Sequence, residues 1–163
     1  MSISIISAVA ENNVIGVKNG LPWKLSGDMK YFSKITTGKT VLMGKNTFFS
    51  IIKILGKPLP NRKNLVLSET KDGINGAEVI SDLQSVIDLA KKEEIFVIGG
   101  ASIYKQTVPL ADKLYITEVH CKCEGDAFFP EFNKQDWDLV MEEKHSKDEK
   151  NDHDYTFKVY ERK

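Results

Sequence analysis

Ile95-Phe96-Val97-Ile98-Gly99-Gly100-Ala101-Ser102 is an unbroken apolar run closed by two glycines and followed by small and polar residues. An apolar run of that length, without polar alternation, is what a strand buried on both faces requires. Glycine after such a strand allows a sharp turn and lets a ligand approach the main chain. Thr40-Val41-Leu42-Met43-Gly44-Lys45-Asn46-Thr47 has the same grammar. A strand passing through glycine into a helix is half of a parallel βαβ unit. The free N–H groups at each helix start also favour an anion. One such junction is ordinary turn geometry. Two in one small chain suggest a ligand with phosphates.

Outward from these junctions the chain alternates strand and helix. Ser2–Ala10 is another continuous apolar run and reads as a buried strand. It ends in Ala8-Val9-Ala10, a pattern resembling a signal-peptidase site, but no basic segment precedes it and the run is short. Glu11–Lys24 is a polar loop. Ser26 is a candidate N-cap for a helix over Ser26–Thr37, with Met29, Phe32 and Ile35 at helical spacing. Thr47–Ile54 reads as helix, and Asn64–Leu67 and Glu78–Ile80 as strands. Ser81-Asp82-Leu83-Gln84 matches a capping box before Leu83, Val86, Ile87 and Ala90. A short helix over 101–107 and a strand over 114–120 follow. Trp137–Glu143 and Tyr155–Glu161 alternate as antiparallel edge strands do, around a charged loop.

This pattern predicts an α/β domain over 1–163. Its centre is a mixed, mostly parallel eight-stranded sheet with an antiparallel C-terminal strand and about four flanking helices. Ligands of such sheets sit at the carboxyl ends of the strands. The chain has 163 residues, 23 basic and 23 acidic, so no excess charge asks for nucleic acid. No run approaches membrane-spanning length. A soluble cytoplasmic protein is expected, with Cys121 and Cys123 as reduced thiols on one strand face. The three histidines sit at no metal spacing, and no metal is expected.

Asp28 stands in the first turn of its helix, four residues before Phe32 and among Trp23, Leu25 and Met29. An acid there complements the helix dipole. Alternatively it is lowered into an apolar pocket to grip a ligand. Lys45 opposes the dipole of its own helix, which a bound anion explains. Ser68, Thr70 and Lys71 follow the third strand and offer hydroxyls and a cation to the same anion. Lys71 also reads simply as a solvated turn residue. Arg62, after Pro58-Leu59-Pro60-Asn61, is an arginine on a rigid turn, suited to a carboxylate. Thr117 lies in Tyr115-Ile116-Thr117-Glu118-Val119 on the face of Tyr115 and Val119, either packing there or bonding a buried acid. No G-x-G-x-x-G follows the first strand, and no P-loop, nucleophile elbow or H-E-x-x-H is present.

In order along the chain these pieces are Val14-Ile15-Gly16, Leu21-Pro22-Trp23, Asp28 with Phe32, Met43-Gly44-Lys45-Asn46-Thr47 and Pro58 to Asn64. Ile98-Gly99-Gly100, Tyr115-Ile116-Thr117, Glu124-Gly125-Asp126 and Phe129-Pro130 complete the series. The ordered set resembles the dihydrofolate reductases. The resemblance implies NADPH-dependent reduction of 7,8-dihydrofolate to tetrahydrofolate, by hydride transfer to pterin C6 with protonation at N5. It implies binding of antifolate inhibitors and a monomer. Asp28, Trp23, Leu21 and Thr117 would form the catalytic group. Ile6, Ala8, Met29, Phe32, Ile51, Leu59, Ile98 and Tyr104 would line the substrate slot with Asp28 and Thr117, the carbonyls of Ile6 and Ile98 receiving an amine. Arg62 would hold the tail carboxylate.

NADPH would meet Ala8, Ile15, Gly16, Asn19, Gly20 and Leu21 on one side. Its phosphates would meet Gly44, Lys45, Asn46, Thr47, Leu67 and Ser68, together with Gly99, Gly100, Ala101, Ser102, Ile103 and Tyr104. A cis Gly99-Gly100 bond is implied, as is a loop around Leu21 closing over the nicotinamide with help from Asp126. The chain departs from the family pattern in places. Lys45-Asn46 stands for an Arg-His pair, and Glu69 adds repulsion beside Ser68. Leu21 stands for Met and Ala101 for glycine. Ile52-Lys53-Ile54-Leu55 reads as an insertion lengthening a helix. Two other readings are a pyrimidine reductase of riboflavin synthesis and a non-catalytic ligand-binding relative. Asp28, Arg62 and Leu21-Pro22-Trp23 speak against the first. Asp28, Trp23 and both glycine junctions speak against the second.

Overall fold

The computed structural model describes residues 2–70 and 73–163, so Lys71 lies outside the described residues. The buried runs become strands, as their patterning requires. β1 (Ile3–Ala10), β3 (Thr40–Gly44), β4 (Lys63–Leu67) and β6 (Ile95–Gly99) carry nearly every side chain out of water. Burying each Ile, Leu or Val contributes about 1.5–3 kcal/mol, so these four strands dominate the core. Between them come β2 (Val14–Gly16), α1 (Ser26–Thr36), α2 (Lys45–Leu55), β5 (Glu78–Ile80) and α3 (Leu83–Ala90). After β6 come α4 (Ala101–Thr107), β7 (Lys113–Val119), β8 (Ala127–Phe128), β9 (Trp137–His145) and β10 (Tyr155–Arg162).

Among the described residues eight strands form one sheet in the order β5-β4-β3-β6-β1-β7-β10-β9. The pairs from β5 to β7 are parallel, while β10 runs antiparallel to both β7 and β9. The chain steps from β1 outward through β3, β4 and β5, then returns to lay β6 against β1. That reversal places the carboxyl ends of β1, β3 and β6 beside one another, where a crevice for ligand is expected. The expected sheet and four helices are therefore present. A small antiparallel ribbon of β2 with β8 was not anticipated, because strands of three and two residues carry no periodic signal. No described helix is long and apolar enough to cross a membrane.

Three local expectations are corrected. Ser26 begins α1 rather than capping it. Leu25 occupies the cap position and has no oxygen to offer. The Oδ1 of Asn151, 124 residues away, instead accepts from Gly27 N at 2.9 Å, and the Lys150 carbonyl accepts from Ser26 N. Ser81 does not cap α3. Asp82 does, accepting from Ser85 N at 2.7 Å, while Gln84 turns to Asp88. That backbone donor holds the Asp82 carboxyl below its ordinary pKa.

The third correction concerns the thiols. β7 ends at Val119, so Cys121 and Cys123 lie beyond the strand and are joined as a disulfide. The bend brings their Cα atoms to 5.7 Å, inside the range a disulfide spans, where an extended strand would hold the two side by side. Finally, α2 does continue through Ile52–Leu55. Gly56 stops it in the left-handed region (φ 74°), leaving Ile54 and Leu55 exposed.

Candidate functional site

The two glycine junctions meet. Gly44 ends β3 and Gly99 ends β6, and a register shift after Leu42 sets Met43, the neighbour of Gly44, opposite Gly99. A Cβ on Gly44 would lie 3.1 Å from Ile103 Cγ1 and 3.9 Å from Gly100 N. A Cβ on Gly100 would lie 3.4 Å from Thr47 Oγ1, and Gly99 has φ 133°, a region that favours glycine. The Gly99-Gly100 peptide is cis. The starts of α2 and α4 thus converge on a cradle of bare backbone that any side chain would fill. Converging N–H groups with no Cβ between them fit the pyrophosphate of a dinucleotide. Thr47 supplies a hydroxyl at the same place.

The other expected phosphate partners are less gathered. Lys45 and Asn46 are exposed at the start of α2. Lys45 lines a cleft with Phe48, Phe49 and Ile52, whereas Thr47, Ser50 and Ile51 take the other face of the helix. Ser68 follows β4, its N–H donating to the Ile80 carbonyl and its hydroxyl 2.9 Å from that of Thr70. Leu67, Ala101 and Ile103 sit at or beside the strand ends, Ile103 buried, with Ser102 exposed. Lys71 lies outside the described residues.

On the near side of the cradle is the acid. α1 carries Asp28 in its first turn to β7, where the Thr117 hydroxyl donates to Asp28 Oδ1 at 2.7 Å. Thr117 is buried and pairs with Ala8 of β1 and Phe157 of β10. Burial raises the Asp28 pKa, and the Thr117 bond opposes that rise. A carboxylate so placed is short of partners and gains from a ligand that donates to it.

Around it, Ile6, Leu59, Phe32, Ile51 and Ile98 share one apolar cluster. Ala8 joins the neighbouring cluster with Trp23, Leu25 and Tyr31. Trp23 is buried with its Nε1 lacking a protein partner. Tyr104 is buried, and its hydroxyl donates to the Ile6 carbonyl at 2.7 Å. That occupies one of the two lone pairs expected to serve an amine. Burial raises the Tyr104 pKa, so it stays a donor.

Arg62 lies 5.7 Å over the Phe32 ring and donates from Nη2 to Thr37 Oγ1 at 3.2 Å. Its Nε is buried without a partner, and burial lowers its pKa. Both observations favour an anion beside it. Met29 and Leu21 are 54% and 53% exposed, so neither packs into the slot as it stands.

The loop over 17–24 is held at three points, of which only the one at Asp126 is implied by the resemblance. The Lys18 N–H donates to Asp126 Oδ2 at 3.0 Å, and Asp126 N to the Gly16 carbonyl. The Ser50 hydroxyl donates to the Asn19 carbonyl at 2.9 Å. Lys24 N donates to Asp152 Oδ2 at 2.8 Å. Asp126 was legible as a partner. Ser50, Asn151 and Asp152 were missed, and their contacts span 31 to 128 residues. Ile15 and Gly16 end β2 and lead into the loop, which carries Asn19 and Gly20 in a narrow Val17–Gly20 turn.

Fold and site together define an α/β protein with a cradle of bare backbone at its strand ends, beside an apolar cluster and one buried, hydrogen-bonded carboxylate. A family model described as dihydrofolate reductase matches residues 2–162. The chain is 48% identical to the dihydrofolate reductase of Bacillus subtilis, covering 99% of this chain and 95% of that protein. It is 40% identical to that of Haemophilus influenzae over the full length of both. A dihydrofolate reductase from Enterococcus faecalis, solved with NADP(H) and RAB-propyl, superposes with a TM-score of 0.90 at 35% identity, covering 99% and 96% of the two chains. The chain belongs to the dihydrofolate reductase family. It is an oxidoreductase of that family's reaction, the NADPH-dependent reduction of 7,8-dihydrofolate to tetrahydrofolate that feeds one-carbon metabolism.

Proposed function

We propose that Asp28 is the polar grip for the pterin ring and that the remaining site residues divide between orienting substrate and seating cofactor. The carrying observation is the Thr117–Asp28 hydrogen bond at 2.7 Å, in a neighbourhood linked to the cradle through Tyr104, whose hydroxyl reaches the Ile6 carbonyl and lies 3.5 Å from a Cβ placed on Gly99. Asp28 accepts from the ring nitrogen and exocyclic amine of the pterin, two donors side by side that match two carboxylate oxygens. Ile6, Ala8, Phe32, Ile51, Leu59 and Ile98 press the ring flat and keep water away. Met29 and Leu21 cover the slot when ligand fills it. Arg62 takes the tail carboxylate.

Thr47, Gly99, Gly100, Ala101 and Ser102 seat the pyrophosphate of the cofactor, with Lys45, Asn46 and Ser68 near its 2′-phosphate. NADPH supplies the hydride that goes to pterin C6. The chain's task is then orientation and exclusion of water. Asp28 biases the charge of the ring, and the proton for N5 comes by way of water. Thr117 keeps the carboxylate aimed. Trp23 and the loop over 17–24 close the nicotinamide side. The chain 1–163 acts as one monomeric domain in the cytoplasm.

The test is Asp28→Asn in a steady-state assay of NADPH absorbance. Loss of one charge-assisted bond of about 1.5–3 kcal/mol lowers kcat/KM by about 10–100-fold. Since burial raises the pKa of Asp28, the folded state binds a proton more tightly than the unfolded state. Stability is therefore lost as pH rises through the folded-state pKa, and the neutral amide escapes that loss. The variant should be more stable than wild type near neutral pH and equal to it in acid. Near-normal turnover at neutral pH would sink the assignment.

A further inference from the structure

Cys121, Cys123 and His153 stand apart from the site just described. Their ligand atoms, two Sγ and one imidazole nitrogen, all lie within 4.8 Å of one another, and all three residues are partly buried. They come from two segments that the fold clamps together. The His120 N–H donates to the Asp154 carbonyl, and the Asp154 carboxylate accepts from Lys147 N. On the other side Glu11 N donates to the Cys121 carbonyl, and Asn12 Nδ2 to the Cys123 carbonyl at 2.8 Å. The backbone under all three side chains is therefore fixed from outside the cluster. Neither cysteine is needed to close a long loop, because the disulfide spans two residues. A cross-link that short removes little chain entropy. Its worth to the fold is small, which leaves the sulfurs available for other chemistry.

We infer that Cys121, Cys123 and His153, with the cysteines reduced, form a binding site for one thiophilic divalent cation, Zn2+. Two thiolates and an imidazole are the donor set such a d10 ion prefers, and carboxylate-seeking Mg2+ or Ca2+ would pass it by. Three protein ligands leave the fourth tetrahedral position to water. The oxidised pair must first be opened. A dithiol reductant gives up two electrons and two protons, converting Cys121–S–S–Cys123 to two thiols and itself to a disulfide. Each thiol then releases its proton as the sulfur takes the metal, so one ion binds and two protons leave. The ion ties the segment that leads into Asp126 to the segment that holds Asp152. Asp126 and Asp152 each anchor the loop over 17–24, through Lys18 N and Lys24 N. Cys121 and Cys123 also pack in the apolar cluster of Trp23. The site thus braces the base of that loop from outside the catalytic pocket.

The experiment uses the full chain, reduced with a phosphine and titrated with Co2+ as a spectroscopic stand-in, then with Zn2+. Expected is one cobalt per chain with a thiolate-to-cobalt charge-transfer band, displaced by one equivalent of Zn2+. The oxidised chain, which needs no substitution, should show no band. Cys121→Ser and Cys123→Ser should abolish it, and His153→Gln should weaken binding by about tenfold or more. The inference is overturned if the reduced wild type gives no band at stoichiometric metal, or if the oxidised chain binds as well as the reduced. It is also overturned if His153→Gln binds as tightly as wild type, because the site is then a two-thiol chelate without the histidine. Thermal melts of each variant without metal confirm that it is folded before its titration is read.

Discussion

Thr117→Val separates the two influences on the acid of the site. The hydroxyl donates to Asp28 at 2.7 Å and is the influence that lowers a pKa which burial raises. Valine keeps the branched shape and removes only the donor. A hydrogen bond to an ionised group contributes about 1.5–3 kcal/mol. Its loss therefore raises the Asp28 pKa further. The sign then follows from linkage. Folded Asp28 already titrates above its ordinary 3.8, so the folded chain holds a proton that the unfolded chain has lost. Stability falls as pH climbs from the unfolded value through the folded one. The variant extends that fall upward and deepens it. Below the unfolded pKa both proteins carry a neutral acid, and the difference shrinks to one neutral hydrogen bond.

Urea unfolding of wild type and variant at about pH 3 and about pH 8 measures this directly, the variant falling short of wild type by about 1.5–3 kcal/mol at the higher pH and by less at the lower. Binding of a 2,4-diaminopyrimidine inhibitor, followed across the same pH range, gives an independent readout of the same titration. A stability difference that stays constant with pH would refute the reasoning, for Thr117 would then not be bonded to an ionised carboxylate.

Lys45→Ala should raise KM for NADPH by about tenfold, the loss of one charge-assisted phosphate contact, while leaving KM for NADH unchanged. Steady-state kinetics with both cofactors reads it, and the NADPH effect should shrink as salt rises. Gly125→Ala should cost about 1–3 kcal/mol in unfolding, since its Cβ would run into Val14 and the Gly16 carbonyl. The displaced segment would also release Asp126 from Lys18, so KM for NADPH should rise with the fall in Tm. Asn151→Ala should lower Tm by about 2–4 °C, the effect of losing a cap of about 1 kcal/mol in a chain of this size. A thermal melt decides that last case, and an unchanged Tm would show that Gly27 N finds another acceptor.

What the chain announces locally and what it does not divide along physical lines. The buried strands announce themselves because two-sided burial leaves no polar residue to interrupt the run, as in Val41-Leu42-Met43 and Phe96-Val97-Ile98. The glycines at 44, 99 and 100 are legible because a cradle admits no Cβ. The carboxylate at 28 is legible once Thr117 is seen on the inner face of its strand. The anchoring contacts are different. Nothing near Ser26 says that Asn151 will accept from Gly27 N, and nothing near Lys24 says that Asp152 will.

Those acceptors sit in His145–Asp154, a stretch whose charges read as a loop. A charged residue looks the same in sequence whether it faces water or an orphaned N–H of a distant helix. Only the pairing of β10 with β7, which brings that loop over the start of α1, separates the two cases. The thiols failed for a related reason. Cys-Lys-Cys was read as continuing a strand, and one bend after Val119 turned parallel side chains into adjacent ones. The residues proposed to grip ligand are thus legible by kind, since their chemistry is restricted. The residues that aim the loop over that ligand are legible only by position, since any short acceptor at the right place serves. It follows that the positioning residues around 120–126 and 150–154 are the ones free to acquire a second chemistry, such as a thiolate–imidazole site, without disturbing Asp28.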